Sequence, residues 1–504
     1  MSRTEKFFKN GLTSALHQVV VMIAGFIVPR IMLTCYGSEI NGLVTSITQF
    51  ISYFNLVEAG LASAATFALY KPLAENDLKK INGVVSASRR FYNISGGVFM
   101  ALSLALAVIY PLFVKTEALS PFFVALLVLV IGASGALEFT TMSRYRVLLA
   151  ADQRTYILSL ATIVAIFINT VVIAVFSAAG ADIVVVRAIA LSSVFVRSGI
   201  LALYVHRHYK GIDYHAAPDN KALNKRWDAL ILQLLGTIQL GAPVVIATAF
   251  CSLELVSVYT VYYMVINGIN GVLAIFQSGL ASAFGEVIAK KETETLKTSF
   301  GDFEYSYHFL VTVIYTITGI MLLPFVLIYT KGVTDANYNL PLFGFLFVLS
   351  GIFYNIKTPQ SMLINSAGLY KETRLQTIIQ GAIMVVLGFA LAPFFGLEGI
   401  MIASILSNLY RCIDLCFFIP KNVTGLPIRQ SAISMSVCVL TSVLLMVPFF
   451  FIRLTPENYL SWVITAMGVA VYSLAGSTLS FFILSPKKMK NVISRLLRFI
   501  RKRG

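Results

Sequence analysis

The sequence predicts an all-α polytopic membrane protein of about fourteen transmembrane helices, and three observations predict it. The 504 residues are 58% hydrophobic and only 12% charged, with a mean hydropathy of +0.82, too few charges to clothe a soluble surface. The apolar residues fall in blocks of roughly 20, the length that crosses ~30 Å of hydrocarbon. The basic residues cluster in every second loop, as they do on the cytoplasmic side of a membrane. Inside a bilayer the backbone finds no partner beyond its own helix or a closed barrel, and continuous apolar runs without strict alternation select helix.

The predicted spans cover residues 11–33, 40–68, 92–114, 119–141, 155–178, 183–206, 228–249, 254–284, 305–329, 340–364, 373–395, 398–420, 430–452 and 458–484. Residues 1–10 are polar and basic, and the apolar run after them is long enough to cross, so it reads as the first span rather than a cleaved signal. With the amino terminus placed in the cytoplasm, 31 of the 39 lysines and arginines fall in inside segments, counting Arg374 at the inner end of its span with the loop before it. Only Lys115, Lys331 and Arg453 fall outside, and five lie within spans. The net charge of +16 therefore reports orientation in an inner membrane, with both termini cytoplasmic, and not an affinity for nucleic acid.

Eight bases in the tail, residues 487–504, accompany Ile493, Leu496, Leu497 and Ile500 at helical spacing. This is the pattern of an amphipathic helix lying on anionic lipid. The five cysteines, Cys35, Cys251, Cys412, Cys416 and Cys438, form no CxxC pair, so no metal or redox motif is expected. Cys35 and Cys251 stand at outer span ends, where oxidation is chemically open, although free thiols are the simpler reading. His206, His208 and His215 share the loop between spans six and seven, which reads as a solvated basic loop, with a metal site as its rival. His17 lies in the first span.

The second span contains Gly60-Leu61-Ala62-Ser63-Ala64 and the eighth contains Gly279-Leu280-Ala281-Ser282-Ala283, identical and 219 positions apart. Lys71 and Lys290 keep that offset, and Ala151, Gly180 and Asp182 match Ala367, Gly396 and Glu398 at 216. These matches divide the chain into an N-lobe of spans 1–6 (residues 1–210) and a C-lobe of spans 7–12 (residues 211–425). Spans 13 and 14 (residues 426–486) are appended. Six is even, so the halves share one orientation, and a substrate site is expected between them near mid-membrane. The repeated pentapeptide also has small-xxx-small spacing, which serves close helix packing equally well. Pro29 and Pro243 stand in the equivalent spans one and seven as hinges or passive kinks.

A charged side chain in mid-bilayer costs roughly 2.5–3.5 kcal/mol on insertion scales, so each should have a partner or a task. Five are basic: Arg30, Arg187, Arg197, Lys357 and Arg411. Three are acidic: Glu58, Glu138 and Asp414. Arg197, Lys357, Arg411, Asp414 and Glu58 fall in one layer of the cytoplasmic half, while Arg30 and Arg187 lie toward the outer side. Arg411 and Asp414, three apart on one helix, can neutralise each other, and Arg30 and Glu138 can snorkel. The excess of bases points to an electropositive chamber, and arginine forks match phosphate oxygens.

The opening stretch Gly11 to Arg30 and the long second span with Phe54-Asn55-Leu56-Val57-Glu58-Ala59-Gly60-Leu61-Ala62-Ser63-Ala64 carry a resemblance, together with the basic loop that follows. Along nearly its whole length the chain resembles the O-antigen and capsule polysaccharide flippases of the multidrug/oligosaccharidyl-lipid/polysaccharide exporter superfamily. The resemblance implies a MATE-like fold working by alternating access, with a cavity lined by spans one, two, seven and eight. The intramembrane bases here sit mostly on spans six, ten and twelve instead. It also implies translocation of an undecaprenyl-pyrophosphate-linked oligosaccharide to the outer leaflet for surface polysaccharide synthesis, alongside a polysaccharide polymerase and glycosyltransferases.

On that reading Arg197, Lys357 and Arg411 hold the pyrophosphate, with Arg30 and Arg187 nearer the exit. Tyr262, Tyr263, Asn267 and Asn270 face the sugar, and Glu58 or Asp414 couples to an ion. No cofactor, metal or catalytic residue is expected. Two rival cargoes stay open, drugs or toxins exported by an antiporter of the same fold and the lipid-linked peptidoglycan precursor. A membrane enzyme is disfavoured, because no inside loop exceeds about 23 residues and the outside loops are all short.

Overall fold

The computed structural model describes residues 3–58, 61–219, 226–484 and 486. Gly60 of the pentapeptide and the basic tail 487–504 lie outside them, as do residues 220–225 of the loop between spans six and seven. All regular elements among the described residues are helical. In chain order they are α1 (Arg3–Phe54), α2 (Leu61–Glu75), α3 (Leu78–Phe113), α4 (Pro121–Thr141), α5 (Ser143–Ala151), α6 (Thr155–Ala178), α7 (Ile183–Ala190), α8 (Ser192–His208) and α9 (Arg226–Phe250). There follow α10 (Leu253–Ala289), α11 (Thr293–Tyr329), α12 (Pro341–Ile356), α13 (Thr358–Ala367), α14 (Arg374–Ile419), α15 (Ile428–Met446), α16 (Pro448–Phe451) and α17 (Tyr459–Leu484).

Among the described residues eleven helical segments are long and apolar enough to cross a membrane. Two of them, residues 8–58 and 374–424, are 51 residues each, about twice what a bilayer core accepts. Both break at a glycine, Gly37 (φ 81, ψ 178) and Gly396 (φ 55, ψ −130), in backbone conformations that a side chain resists. Each therefore supplies two crossings. With α9, whose apolar stretch runs Gly236–Phe250, the chain is an all-α polytopic membrane protein with the expected count of about fourteen. Several crossings are jointed: α4 passes into α5 at Met142, α7 into α8 at Leu191, and α12 into α13 at Lys357.

The chain divides into two compact units, residues 1–257 and 258–504. In the first, the principal packed pairs are α1 with α6 and α3 with α4. At the α3–α4 seam a Cβ added to Gly132 would stand 2.4 Å from the Ser103 hydroxyl oxygen, so the two helices meet only because that side chain is missing. Helix α9, expected to open the second lobe, packs on α1 and α2 in this unit. Asn41 of α1 donates to Ser257 in the first turn of α10 at 2.7 Å. One residue on, a Cβ on Gly42 would fall 1.8 Å from the Leu253 carbonyl oxygen. In the second unit α11 is central, packed against α12, α15 and α17.

The internal repeat is written in the backbone. Left-handed residues recur as Asn76 and Lys291, Gln153 and Gly368, Gly180 and Gly396, and Gly211 and Gly425, separated by 215, 215, 216 and 214 positions. Several of them end helices, where a left-handed residue closes off the last turn. The joints Met142 and Lys357 keep the same spacing of 215. The pentapeptide match at 219 is thus displaced by four residues, about one helical turn, from the register that the fold keeps.

Candidate functional site

In the first unit the charged residues converge. Arg197 of α8 reaches Glu138 of α4 at 2.9 Å. Glu58, at the end of the 3-10 turn Asn55–Glu58, meets Arg146 of α5 at 3.5 Å. Glu58 also feels the charge of Glu138, and His17 of α1 feels that of Arg197. Two carboxylates and two guanidinium groups therefore nearly balance, which corrects the expectation of unpaired bases here. Glu138 does not merely snorkel, because it is the counter-ion of Arg197. Among the described residues the cluster is nonetheless incompletely satisfied, since Glu58 Oε2 and Arg197 Nε are both buried with no hydrogen-bond partner. Toward the other end, Arg187 lies in the last turn of α7, close enough to Tyr36 for their charges to interact, and its Nε is likewise buried and unpartnered. Arg30 is half-buried in α1.

In the second unit Arg411 and Asp414 form the expected in-helix pair, at 2.5 Å. Asp414 is thereby engaged as a counter-ion. Lys357 differs. It is 7% exposed at the α12–α13 joint, and its ammonium lies 4.3 Å from the ring centre of Tyr354. Arg411 acts on it as a like charge. Among the described residues no carboxylate pairs with it.

Close by in sequence, a polar chain ties α10, α11 and α12 together. Gln277 donates to the Tyr307 hydroxyl (2.7 Å), which donates to Asn355 Oδ1 (3.3 Å). Asn355 Nδ2 donates to Asn270 Oδ1 (2.8 Å), which also accepts from the Tyr315 hydroxyl (2.9 Å). The four residues expected to face sugar separate accordingly. Asn270 belongs to this chain, Asn267 is exposed, and Tyr263 is half-buried and stacked on Tyr259. Tyr262 is fully buried against Phe343 and donates to the Tyr338 carbonyl at 2.8 Å, which makes it a packing residue in this structure.

Sequence reasoning passed over several polar residues. Arg146 falls in a predicted inside loop, and with bases outnumbering acids within the spans nothing in the sequence pointed to it as the partner of Glu58. Asn355, Tyr307 and Tyr315 are neutral and carried no signal. Glu304, 1% exposed, accepts from Gln360 and from Ser431 (3.0 Å). It lies in α11 one residue before the predicted start of the ninth span, and so was read as loop.

Asp152, between α5 and α6, gathers the Lys6 ammonium (2.8 Å), the Tyr209 hydroxyl (2.6 Å) and Arg154 Nε (2.7 Å). Burial alone would raise its carboxyl pKa. The hydrogen bonds from Lys6 and Tyr209 and the charge of Arg154 outweigh that and hold it below the ordinary aspartate value. Among the described residues no three histidines, cysteines or carboxylates are grouped to hold a metal, and none of the five cysteines is in a disulfide.

The helix order, the jointed crossings and the pattern of intramembrane charges define a multi-pass membrane protein. Comparison with solved structures assigns its fold. The lipid II flippase MurJ in an inward closed conformation matches with a TM-score of 0.72 at 12% identity, covering 94% of this chain and 99% of that one. An inward-facing multidrug resistance MATE family transporter of the MOP superfamily matches at 0.60 and 16% identity, covering 85% and 95%. A MOP superfamily transporter from Pyrococcus furiosus, described by the reverse polarity of its binding pocket, matches at 0.60 and 14%, covering 86% and 96%. The chain therefore has the MATE-type fold expected from sequence. No protein-family model matches it, and no curated protein matches its sequence.

Proposed function

We propose that the chain is a flippase moving an undecaprenyl-pyrophosphate-linked oligosaccharide from the inner to the outer leaflet of a bacterial cytoplasmic membrane. It works by alternating access and supplies a surface polymer whose glycosyltransferases and polymerase act beside it. Its termini lie in the cytoplasm, an orientation that the alternate-loop excess of lysine and arginine supports. The fold shared with a lipid II flippase and with transporters supports translocation. The observation that carries the anionic cargo is Lys357, a buried ammonium with no carboxylate beside it among the described residues and a second base nearby. A buried cation without a counter-ion costs several kcal/mol, and a phosphate oxygen would relieve that cost.

In this reading Arg411 joins Lys357 when it exchanges its carboxylate for phosphate, and in the first unit Arg197 takes phosphate on release from Glu138, with Arg187 and Arg30 as further bases. Tyr263, Asn267 and Asn270 meet the sugar. An apolar groove of about 420 Å³ between α12, α14 and α15, lined by Phe353, Ile413, Phe417 and Leu440 among others, suits a hydrocarbon tail. Outward movement of the anion is favoured by an inside-negative potential, by ~2.3 kcal/mol per charge per 100 mV.

The test is titration of the purified protein with undecaprenyl pyrophosphate, followed by thermal stabilisation and by intrinsic fluorescence. Lys357→Met should keep or raise the melting temperature of the free protein and lose at least about tenfold in affinity, equivalent to one charge-assisted hydrogen bond. Unchanged affinity in a folded Lys357→Met protein overturns the assignment. Preferential binding of lipophilic cations over the pyrophosphate would favour efflux instead.

A further inference from the structure

A second polar pocket lies wholly within the first unit, apart from the charges used above. It occupies about 310 Å³ between α5, the end of α8 and the segment 209–215. Arg144, His206 and His215 line it, together with Tyr209, Tyr214 and Asp213. Of the three histidines in this region, His208 is turned elsewhere, stacked on Tyr204 with ring centres 4.0 Å apart. The other two line the pocket together with Arg144.

The walls are held in place. Asn82 of α3 donates to the Gly211 carbonyl (3.0 Å) and accepts from the Asp213 amide (3.0 Å). The Ser86 hydroxyl donates to the Ala216 carbonyl at 2.6 Å. Arg89 of α3 donates to the Tyr214 carbonyl (3.3 Å) and contacts the His215 ring (2.9 Å to Nε2). The segment is thus stapled to α3 along its length. The Arg144 guanidinium carbon lies 4.8 Å from the Tyr145 ring centre and 5.4 Å from that of Tyr214, so its plane is fixed by two aromatic rings.

What the pocket lacks is acceptors. Among the described residues Arg144 Nε and the Tyr214 hydroxyl are buried without hydrogen-bond partners, and leaving such groups unmet is costly. Among the described residues Arg144 makes no ion pair. The single carboxylate in the wall, Asp213, already accepts the His215 amide at 2.8 Å. A guanidinium, a phenol and two imidazoles with Arg89 behind them form a donor set richer than a carboxylate can saturate, and one that suits the oxygens of a phosphate.

We propose that this pocket binds a phosphate group, carried either by a lipid headgroup or by a soluble phosphate ester, as a site separate from the cargo path. The inference does not depend on the flippase reading. The test uses the full-length protein in two arms. Inorganic phosphate and glycerol 3-phosphate are titrated into detergent-solubilised protein by calorimetry, with chloride as control. Nanodiscs of phosphatidylglycerol or of phosphatidylcholine alone are compared by native mass spectrometry for retained lipid.

Binding in either arm is expected, and the arm that responds identifies the source. Arg144→Gln should weaken it at least about tenfold, and Tyr214→Phe, which removes only the hydroxyl, several-fold. If Arg144→Gln does not fold, Tyr214→Phe at unchanged melting temperature decides alone. No phosphate-dependent binding in either arm overturns the proposal, and so does binding that a folded Tyr214→Phe protein retains in full.

Discussion

Removing the carboxylate of Glu138 should release Arg197 to a phosphate, and this separates pairing from anion binding. At 2.9 Å two unit charges attract by about 6 kcal/mol at an effective dielectric of ~20. The Glu138 side chain is 43% exposed and that of Arg197 23%, so screening and desolvation offset most of this. Exposed pairs keep ~0.2–1 kcal/mol, and truncating one member of a fully buried pair costs ~3–5 kcal/mol. Arg197→Ala is therefore expected to cost about 1–2 kcal/mol, a few degrees of melting temperature. It also exposes Glu58 and Glu138 to their mutual repulsion. In a double-mutant cycle with Glu138→Ala the coupling should be about 1 kcal/mol.

Binding behaves differently from stability. Glu138→Ala should raise affinity for undecaprenyl pyrophosphate, because the guanidinium no longer has to exchange a carboxylate for it. Arg197→Ala and the double variant should both lose affinity. The assays are thermal unfolding in detergent and titration of the lipid pyrophosphate on the same preparations. If Glu138→Ala binds no better than the parent and Arg197→Ala binds equally well, Arg197 is a structural counter-ion and nothing more.

Other expectations follow from contacts outside that pair. Asp152→Asn should cost about 1 kcal/mol near neutral pH by weakening the hub with Lys6, Arg154 and Tyr209. Because the folded carboxyl pKa is depressed, this contribution is present above the ordinary value of 3.8 and is lost as pH falls through the lower folded value. Melting curves of parent and variant should accordingly converge as pH drops below about 4. Tyr262→Phe should lose about 1 kcal/mol through its bond to the Tyr338 carbonyl and leave pyrophosphate affinity unchanged, which a titration checks. Gly42→Val sets a branched side chain against the Leu253 backbone and should cost ~1–3 kcal/mol or more. The oxidised yield of an Asn41→Cys/Ser257→Cys pair should fall with it.

The crossings were legible because each is set by a physical length and a composition. The spans at 155–178 and 458–484 coincide with α6 and α17 to within a residue. The turns at Gly37 and Gly396 fall where the hydropathy lapses by only a few residues. What extends past the membrane was not legible. Helix α3 begins at Leu78, fourteen residues before the predicted span, and α11 begins at Thr293 rather than 305. Hydropathy reports lipid, and a helix that continues into water gives no such signal.

The candidate site was legible only in its charges. Intramembrane ionisable residues stand out individually, and Arg411–Asp414 follows from spacing on one helix. Arg197–Glu138 needs the packing of two helices that sequence does not fix. The chain of Asn270, Asn355, Tyr307 and Tyr315 is made of neutral residues that composition cannot rank.

The repeat shows where the two halves differ in chemistry. Arg197 and Arg411 are 214 positions apart, within a residue of the backbone register, so each half places an arginine at the same point of its sixth crossing. Each arginine has a carboxylate, one reached across helices and one supplied from its own turn. At the neighbouring joint the halves part company, because the first has Met142 and the second has Lys357 at a spacing of 215. Met142 is 3% exposed and Lys357 7%. A joint of this geometry therefore accepts an unbranched apolar side chain, and the ammonium is not what the joint requires. A charge that the fold does not need, buried where it costs energy, is the kind a ligand must account for. For that reason Lys357→Met is the variant chosen to remove the proposed function while leaving the helix joint intact.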